Sequence, residues 1–406
     1  MIDEKINPCL LETITFLKEL IRIPSLSGKE ERAIQFIYYA FLPLTDEIEM
    51  VPLSDEIKND PDYSTPIPDL RYNGRHNLRA VVKGDGGGKS ILFNTHADVV
   101  PAPKSQFEPI VNNEAVYGRG ACDAKGQIAT LFLLLCFLKK SGIRLKGDII
   151  IHIIIEEENG GNGTLAAIRK GEMADAAIVM EPSSLKILPS VRGAVWFRVI
   201  TKGKPGHSGS GGKRISALDL AIEAKEILSD YHKKLLAASR GIPLFDDYEN
   251  PMPITFGKLH AGDWPATIPN QGILEGVLGF LPNRTRFEVM EEIRQEIQQK
   301  GSDELKANFK LEFMYRHDSH VLHVDHPLVK TLSNACQKID IPPKITAMVA
   351  SCDSWFYNNQ LKIPTVVFGV GDLAVAHSNH EHIKIKDLEL ASAILFNFLN
   401  DWCNQE

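Results

Sequence analysis

Residues 149–164 read Ile149-Ile150-Ile151-His152-Ile153-Ile154-Ile155-Glu156-Glu157-Glu158-Asn159-Gly160-Gly161-Asn162-Gly163-Thr164, a β-branched run ending in three carboxylates and a glycine-rich exit. Apolar residues on both sides of the pleat read as a strand buried on both faces, the position of a parallel strand covered by helices. His152, inside the run, reads as a core histidine with satisfied hydrogen bonds. Three adjacent carboxylates at the end of such a strand are hard to explain structurally. Like charges so close raise one another's pKa, and the cost falls if one binds a cation while another holds a proton. The plain alternative is a solvated charge run.

Four other segments end in the same way. In Ile91-Leu92-Phe93-Asn94-Thr95-His96-Ala97-Asp98-Val99-Val100-Pro101, strand alternation aims His96 and Asp98 to one side. Asp98 is therefore suited to accept the second N–H of a metal-bound His96, although a simple hydrogen-bonded pair reads equally from two residues. The stretch Gly118-Arg119-Gly120-Ala121-Cys122-Asp123-Ala124-Lys125-Gly126 leads into the apolar run 128–138, which places Asp123 at the mouth of a buried helix. There it either bridges two cations or caps the helix. Apolar segments also end on Glu181, in Met180-Glu181-Pro182-Ser183, and just ahead of His377, in Ala376-His377-Ser378-Asn379-His380-Glu381. Ligands in open α/β sheets gather beyond the carboxyl ends of the strands, so the three strands ending on His96, Glu158 and Glu181 are expected to converge on one crevice, and with Asp123 and His377 they would make a complete two-metal site.

These motifs, in this order over nearly the whole chain, resemble the acetylornithine deacetylase, succinyl-diaminopimelate desuccinylase, aminoacylase and glutamate carboxypeptidase family of dinuclear zinc metallohydrolases. The resemblance implies that His96 and Glu181 hold one metal, Glu158 and His377 the other, and that Asp123 bridges them. Glu157 falls on the family's general acid/base position. A cis peptide at Asp123-Ala124 is implied too. His207, in Lys204-Pro205-Gly206-His207-Ser208-Gly209, matches a position whose imidazole steadies the oxyanion in the neighbouring subunit's site. Zinc suits a mixed imidazole and carboxylate set, with cobalt or manganese as substitutes.

Two positions depart from the family pattern. Ala266 and Gly279 stand where many members carry the Asn and Arg that bind the substrate carboxylate. Arg192, Lys213 and Arg214 are candidate replacements, or else surface charges. Asp353, in Ser351-Cys352-Asp353-Ser354-Trp355, matches a position near the substrate and reads equally as a helix cap. The wording Gly262-Asp263-Trp264-Pro265 with Gly279-Phe280-Leu281-Pro282 looks most like acetylornithine-deacetylase-type members.

The first half alternates helical and β patterns, as a mostly parallel sheet between helices requires. The order after Gly193 is β-α-β-β-α-β, which is ferredoxin-like. We therefore expect an α/β three-layer catalytic domain formed by residues 1–193 and 319–406, with an α+β lid and dimerisation domain inserted at 194–318. At 406 residues the chain exceeds the ~250–300 at which single cores stop growing. A net charge of -7 without a basic stripe argues against nucleic acid as a partner. The six scattered cysteines suggest reduced thiols in the cytoplasm, and neither a signal peptide nor a membrane span is expected.

Two further patterns invite over-reading. Gly84-Asp85-Gly86-Gly87-Gly88-Lys89-Ser90 lacks the first glycine and following helix of a phosphate-binding loop, and reads as a hairpin turn. His317, His320, His323 and His326 lie in a polar connection with no regular element to converge them on a metal.

The expected function is hydrolysis of an N-acyl amino acid, N-acetylornithine first among them, by a homodimer. The rivals are a dipeptidase or carboxypeptidase with the same machinery, and a metal-bearing binding protein without turnover.

Overall fold

In the computed structural model, which describes residues 2–207, 209 and 214–405, the isoleucine run forms the strand Ile149–Ile154, buried at every position. Fully burying one such side chain contributes about 1.5–3 kcal/mol, so the five isoleucines of this strand anchor the central sheet. The strand pairs in parallel with Ile91–His96, Ile91 opposite Ile149 and His96 opposite Ile154. Ala177–Val179 and then Thr365–Val367 continue the parallel order. Antiparallel strands flank this middle: His76–Val82 and Glu47–Pro52 at one end, Ile187–Val191 and His320–Val321 at the other. Helix Lys125–Ser141 packs against Ile2–Ile21 and Ile385–Trp402, and the Asp123-Ala124 peptide just before it is cis. Among the described residues, no helix is long and apolar enough to cross a membrane, and all six cysteines are unpaired and buried.

The inserted unit has its own sheet and core. Strands Gly193–Lys202, Ile254–Ala261, Gln271–Phe280 and Phe309–His317 form one antiparallel sheet, with Gly193–Lys202 between Gln271–Phe280 and Phe309–His317. Helices Ala217–Ala238 and Arg286–Lys300 complete the β-α-β-β-α-β order, and a second apolar cluster centred on Phe197, Leu228, Leu278 and Ile293 fills the space beneath them. Ile254–Ala261 is an outer strand of this sheet.

The glycine-rich loop after His76–Val82 is not a hairpin turn. Ile149–Ile154 lies between the two strands it joins, so the loop crosses the sheet end and bonds instead to residues 145 and 146, from Asp85 N–H to Leu145 O (2.8 Å) and Gly86 N–H to Lys146 O (2.9 Å). Ile149–Ile154 pairs antiparallel with the first of these strands and parallel with the second, so the two have no edge left to share.

One of the three carboxylates after the isoleucine strand is structural. Glu156, at φ +63°, is buried beside Arg75 (2.5 Å), Tyr72 Oη (2.6 Å) and Asn162 Nδ2 (3.2 Å), and Arg75 also pairs with buried Glu30 (2.7 Å). Arg75→Ala leaves two buried carboxylates without their cation, and should cost about 3–5 kcal/mol in a denaturant melt. Burial pushes the Glu30 carboxyl up to about 7, against the pull of Arg75. A carboxyl raised on folding contributes most below its unfolded value and loses that contribution as pH rises through 7. The Arg75→Ala deficit should accordingly shrink in acid and grow towards neutral pH.

Candidate metal centre and active site

Parallel order brings the carboxyl ends of Ile149–Ile154, Ile91–His96, Ala177–Val179 and Thr365–Val367 to one edge of the sheet. His96 is the last residue of its strand, and Glu157, Glu158 and Glu181 come two to four residues past the ends of theirs. The structure places them together with Asp123 and His377. One oxygen of Asp123 lies 2.9 Å from His96 Nε2, and the other 3.3 Å from His377 Nε2. His377 Nε2 also lies 3.0 Å from Glu158, and His96 Nε2 lies 3.9 Å from Glu181. Possible ligand atoms of His96, Glu157 and Glu181 fall within 4.8 Å of one another, as do those of His96, Asp123 and Glu158. All of these side chains are largely buried except His377, whose side chain is 49% exposed at the rim.

Asp123 does not cap the helix, whose N-cap residue is Ala124 with no side-chain bond. Its loop is held from behind by Glu381, whose Oε1 accepts the N–H groups of Gly120 (2.9 Å), Cys122 (3.1 Å) and Asp123 (3.1 Å). Arg119 pairs with Glu381 and donates to the His377 carbonyl (3.1 Å), so one ion pair fastens two of the converging loops. Sequence reading did not single out either residue. The signal was their place inside the two quoted motifs.

Asp98 acts differently from expectation. His96 Nδ1 donates to the Asp98 backbone carbonyl (2.9 Å), with the carboxylate farther off at 3.4 Å. That bond still fixes the tautomer and turns Nε2 towards Asp123. The Asp98 carboxylate accepts the N–H groups of Glu157 (3.2 Å) and Glu158 (3.1 Å), the residues that leave the neighbouring strand.

The electrostatics suit a divalent cation. Burial, then the charges of Glu181 and Asp353, raises Glu157 well above the usual carboxylate range. Burial and the neighbouring carboxylates raise Glu181 likewise, and its Oε1 is buried without a hydrogen-bond partner. His96 is raised despite burial because Asp123 and Asp98 flank it, and its hydrogen bonds to the accepting carboxylates of Asp123 and Glu158 push His377 up to about 10. Imidazolium charge and a bound cation are alternative answers to the same excess of buried carboxylate. Two imidazoles with several carboxylates form a donor set that divalent zinc accepts. The residues present therefore fit such an ion.

The remaining candidates lie apart from this cluster or beside it. His207 is exposed; its Nδ1 accepts the Gly209 N–H (3.0 Å) and its backbone bridges Thr267, both within the inserted unit. Lys213 lies outside the described residues, and Arg214 is exposed. Arg192 spends its guanidinium on the carbonyls of Val349 and Gly193, and burial lowers its pKa to about 10. Gly279 is packed beside it, where an added Cβ would lie 2.4 Å from Arg192 Nη1 and 2.9 Å from the Met252 Cα, so the backbone of Met252 leaves no room for a side chain. Asp353 is fully buried, accepts the Thr164 hydroxyl (2.6 Å) through one oxygen and leaves the other without a hydrogen bond, 4.0 Å from His317 Nε2. That second oxygen would lie 2.2 Å from a Cβ at Gly161, where φ is +70°, so only glycine fits.

The spaced histidines form no metal group among the described residues. His317 and His320 are buried, His323 is exposed beside Asp325, and His326 caps the helix Pro327–Gln337.

A model of the peptidase family M20/M25/M40 matches residues 92–401. N-formyl-4-amino-5-aminomethyl-2-methylpyrimidine deformylase of Bacillus subtilis is 27% identical over 82% of this chain and 85% of its own. The LysW-lysine/LysW-ornithine hydrolase of Sulfurisphaera tokodaii is 24% identical over 95% and 94%. Among solved structures, the di-peptidase Dug1p of Saccharomyces cerevisiae superposes with a TM-score of 0.81 at 16% identity, covering 99% of this chain and 98% of that one, a likeness of fold.

Proposed function

The chain belongs to peptidase family M20/M25/M40, a family of dinuclear metal-dependent hydrolases of amide bonds, typically with zinc, and on that premise we propose that it removes a short acyl group from an N-acyl amino acid. The observation that carries the two-metal hydrolytic part of this reading is Asp123, whose two oxygens face two different imidazoles. His96 and Glu181 would hold one ion, Glu158 and His377 the other, with Asp123 shared. When bound, such ions supply Lewis acidity and bring the pKa of water towards neutrality.

The rest of the chemistry belongs to the protein. Glu157 is buried and raised, and its main chain is fixed by Asp98, so it is suited to take a proton from the attacking water and return it to the leaving amine. Arg192 is the candidate partner for a substrate carboxylate, being a largely buried guanidinium bonded only to carbonyls in the contacts described above. The outer strand Ile254–Ala261, with Leu259 exposed, is the edge through which a homodimer would form, bringing His207 of one chain towards its partner. The relatives named above act, by their names, on an N-formyl compound and on LysW conjugates, which supports acyl-type substrates without selecting N-acetylornithine.

The test is release of free amine by zinc- or cobalt-loaded protein from N-acetyl, N-succinyl and N-formyl amino acids beside dipeptides. Hydrolysis of N-acetylornithine or a related acyl amino acid supports the deacylase. Activity confined to dipeptides moves the protein to the peptidase branch, and silence in both metal forms leaves a binding protein. Chelation should abolish turnover and zinc should restore it. Full activity in protein shown to be metal-free would sink the mechanism.

A further inference from the structure

We infer, on the reading of Glu157 given above, that His317 is a positioning residue for the reaction: its imidazole holds the turn that carries Glu157 and Glu158, and Tyr315 sets the proton on that imidazole. His317 is the first of the spaced histidines whose pattern converges on no metal. It ends the strand Phe309–His317 and pairs with Ala194, at the root of the inserted sheet where the chain enters and leaves it. The inserted unit thus reaches the catalytic edge through this side chain.

The geometry defines what this side chain does. The ring is 1% exposed, boxed by Tyr315 (4.2 Å between centroids), Phe356 (5.2 Å) and Trp355 (5.4 Å). Its Nε2 lies 2.9 Å from the carbonyl oxygen of Gly160. The Gly160 N–H in turn donates to the Glu157 carbonyl at 2.9 Å, and the Gly161 N–H to the Glu156 carbonyl at 2.8 Å. His317 therefore grips the closing residue of the turn on which Glu157 and Glu158 sit.

A carbonyl only accepts, so Nε2 carries the hydrogen. Burial holds the imidazole down to about 3, so the ring is neutral and Nδ1 is left as an acceptor. The Tyr315 hydroxyl, 2.8 Å from Nδ1, donates to it, and the Tyr315 oxygen lies 3.0 Å from Ser351 Oγ. The phenol thereby selects the tautomer that can hold Gly160, as partners of ring nitrogens do in metal sites. Tyr315 is itself fixed by stacking on Trp196, at 5.2 Å and 16°.

A core histidine kept only for packing predicts the same burial but a different response to substitution. The experiment compares zinc-loaded His317→Ala, His317→Gln and Tyr315→Phe by zinc content, by kcat and KM on whichever amide of the acyl-amino-acid and dipeptide panel is turned over fastest, and by amide hydrogen exchange over residues 157–161. In His317→Ala, kcat should fall by about 100-fold, as for a misplacement on the order of 1 Å, with KM and zinc content kept and exchange over the turn accelerated. His317→Gln, whose amide nitrogen can reach the Gly160 carbonyl as Nε2 does, should recover most of the turnover and the protection. Tyr315→Phe keeps the ring and its stack and removes only the hydroxyl, so it should lower kcat less and loosen the same amides.

Wild-type kcat and exchange in both His317→Ala and Tyr315→Phe would overturn the positioning role, as would a loss in His317→Ala that Gln does not recover. If His317→Ala fails to fold, Gln and Phe decide by the same criteria: a Gln variant as impaired as unfolded protein, or a Phe variant identical to wild type, overturns it. Glu157→Gln is run alongside. If that variant stays active, the role in the reaction falls with the reading of Glu157, whereas a dead Glu157→Gln beside wild-type His317→Ala and Tyr315→Phe removes the positioning role alone.

Discussion

Glu157→Gln is expected to fold, bind zinc like the parent, and lose turnover by about 10²–10⁴-fold, the range that a positioned proton carrier contributes. Gln has the shape of Glu and cannot move a proton. The main-chain bond from residue 157 to Asp98 and the packing of the turn are untouched by the change. The substitution also removes a buried acid that Glu181 and Asp353 crowd. A carboxyl raised on folding loses stabilisation as pH rises through its folded value, whereas Gln stays neutral throughout. Metal-free Glu157→Gln should then melt no lower than the metal-free parent at neutral pH. Steady-state kinetics with metal analysis and a thermal melt check both halves. Parental kcat in the Gln variant would remove Glu157 from the reaction.

Asp123→Ala is expected to have the largest effect on metal. It removes the oxygen 2.9 Å from His96 and the oxygen 3.3 Å from His377 at one stroke, and leaves both imidazoles facing a gap. Loss of a partner that merely orients a ligand costs about 10–100-fold in metal affinity, so loss of the shared carboxylate should exceed that and abolish turnover. Asp123→Asn keeps one oxygen acceptor and should bind better than Ala, though below the parent. Metal stoichiometry after dialysis and kcat in the same samples decide. An Ala variant that retains two ions and parental kcat would show that Asp123 is only a loop residue held by Glu381.

Much of this was legible along the chain because the signals are local. An isoleucine strand has no polar face, so its burial on both sides follows from composition, and carboxylates at its end then lie where parallel strands open. Periodicity likewise carries the β-α-β-β-α-β order of the insert, whose two helices are Ala217–Ala238 and Arg286–Lys300. Less was legible where partners are remote. Glu47–Pro52, Ile187–Val191 and Ile345–Met348 were not marked as strands, because each is made by what it pairs with. Glu156 looked like a third member of an acidic cluster, and only Arg75 and Tyr72, far away in the chain, turn it into a buried ion pair. The loop at 84–90 looked like a hairpin because its two flanking strands are consecutive, yet a later strand separates them.

Residue order along the chain is enough to say what kind of residue stands at each strand end, and with it the type of chemistry: imidazoles and carboxylates placed where an α/β sheet gathers ligands. Which of them meet, and through which atoms, depends on the folded arrangement. It set Asp123 between two imidazoles, gave the Asp98 carboxylate to the amides of Glu157 and Glu158, and sent His317 from a polar stretch into the catalytic turn. The physical reason is range. Side-chain alternation and burial are properties of neighbours along the chain, whereas hydrogen-bond partners, tautomers and shifted pKa values depend on groups that folding alone brings within a few ångströms.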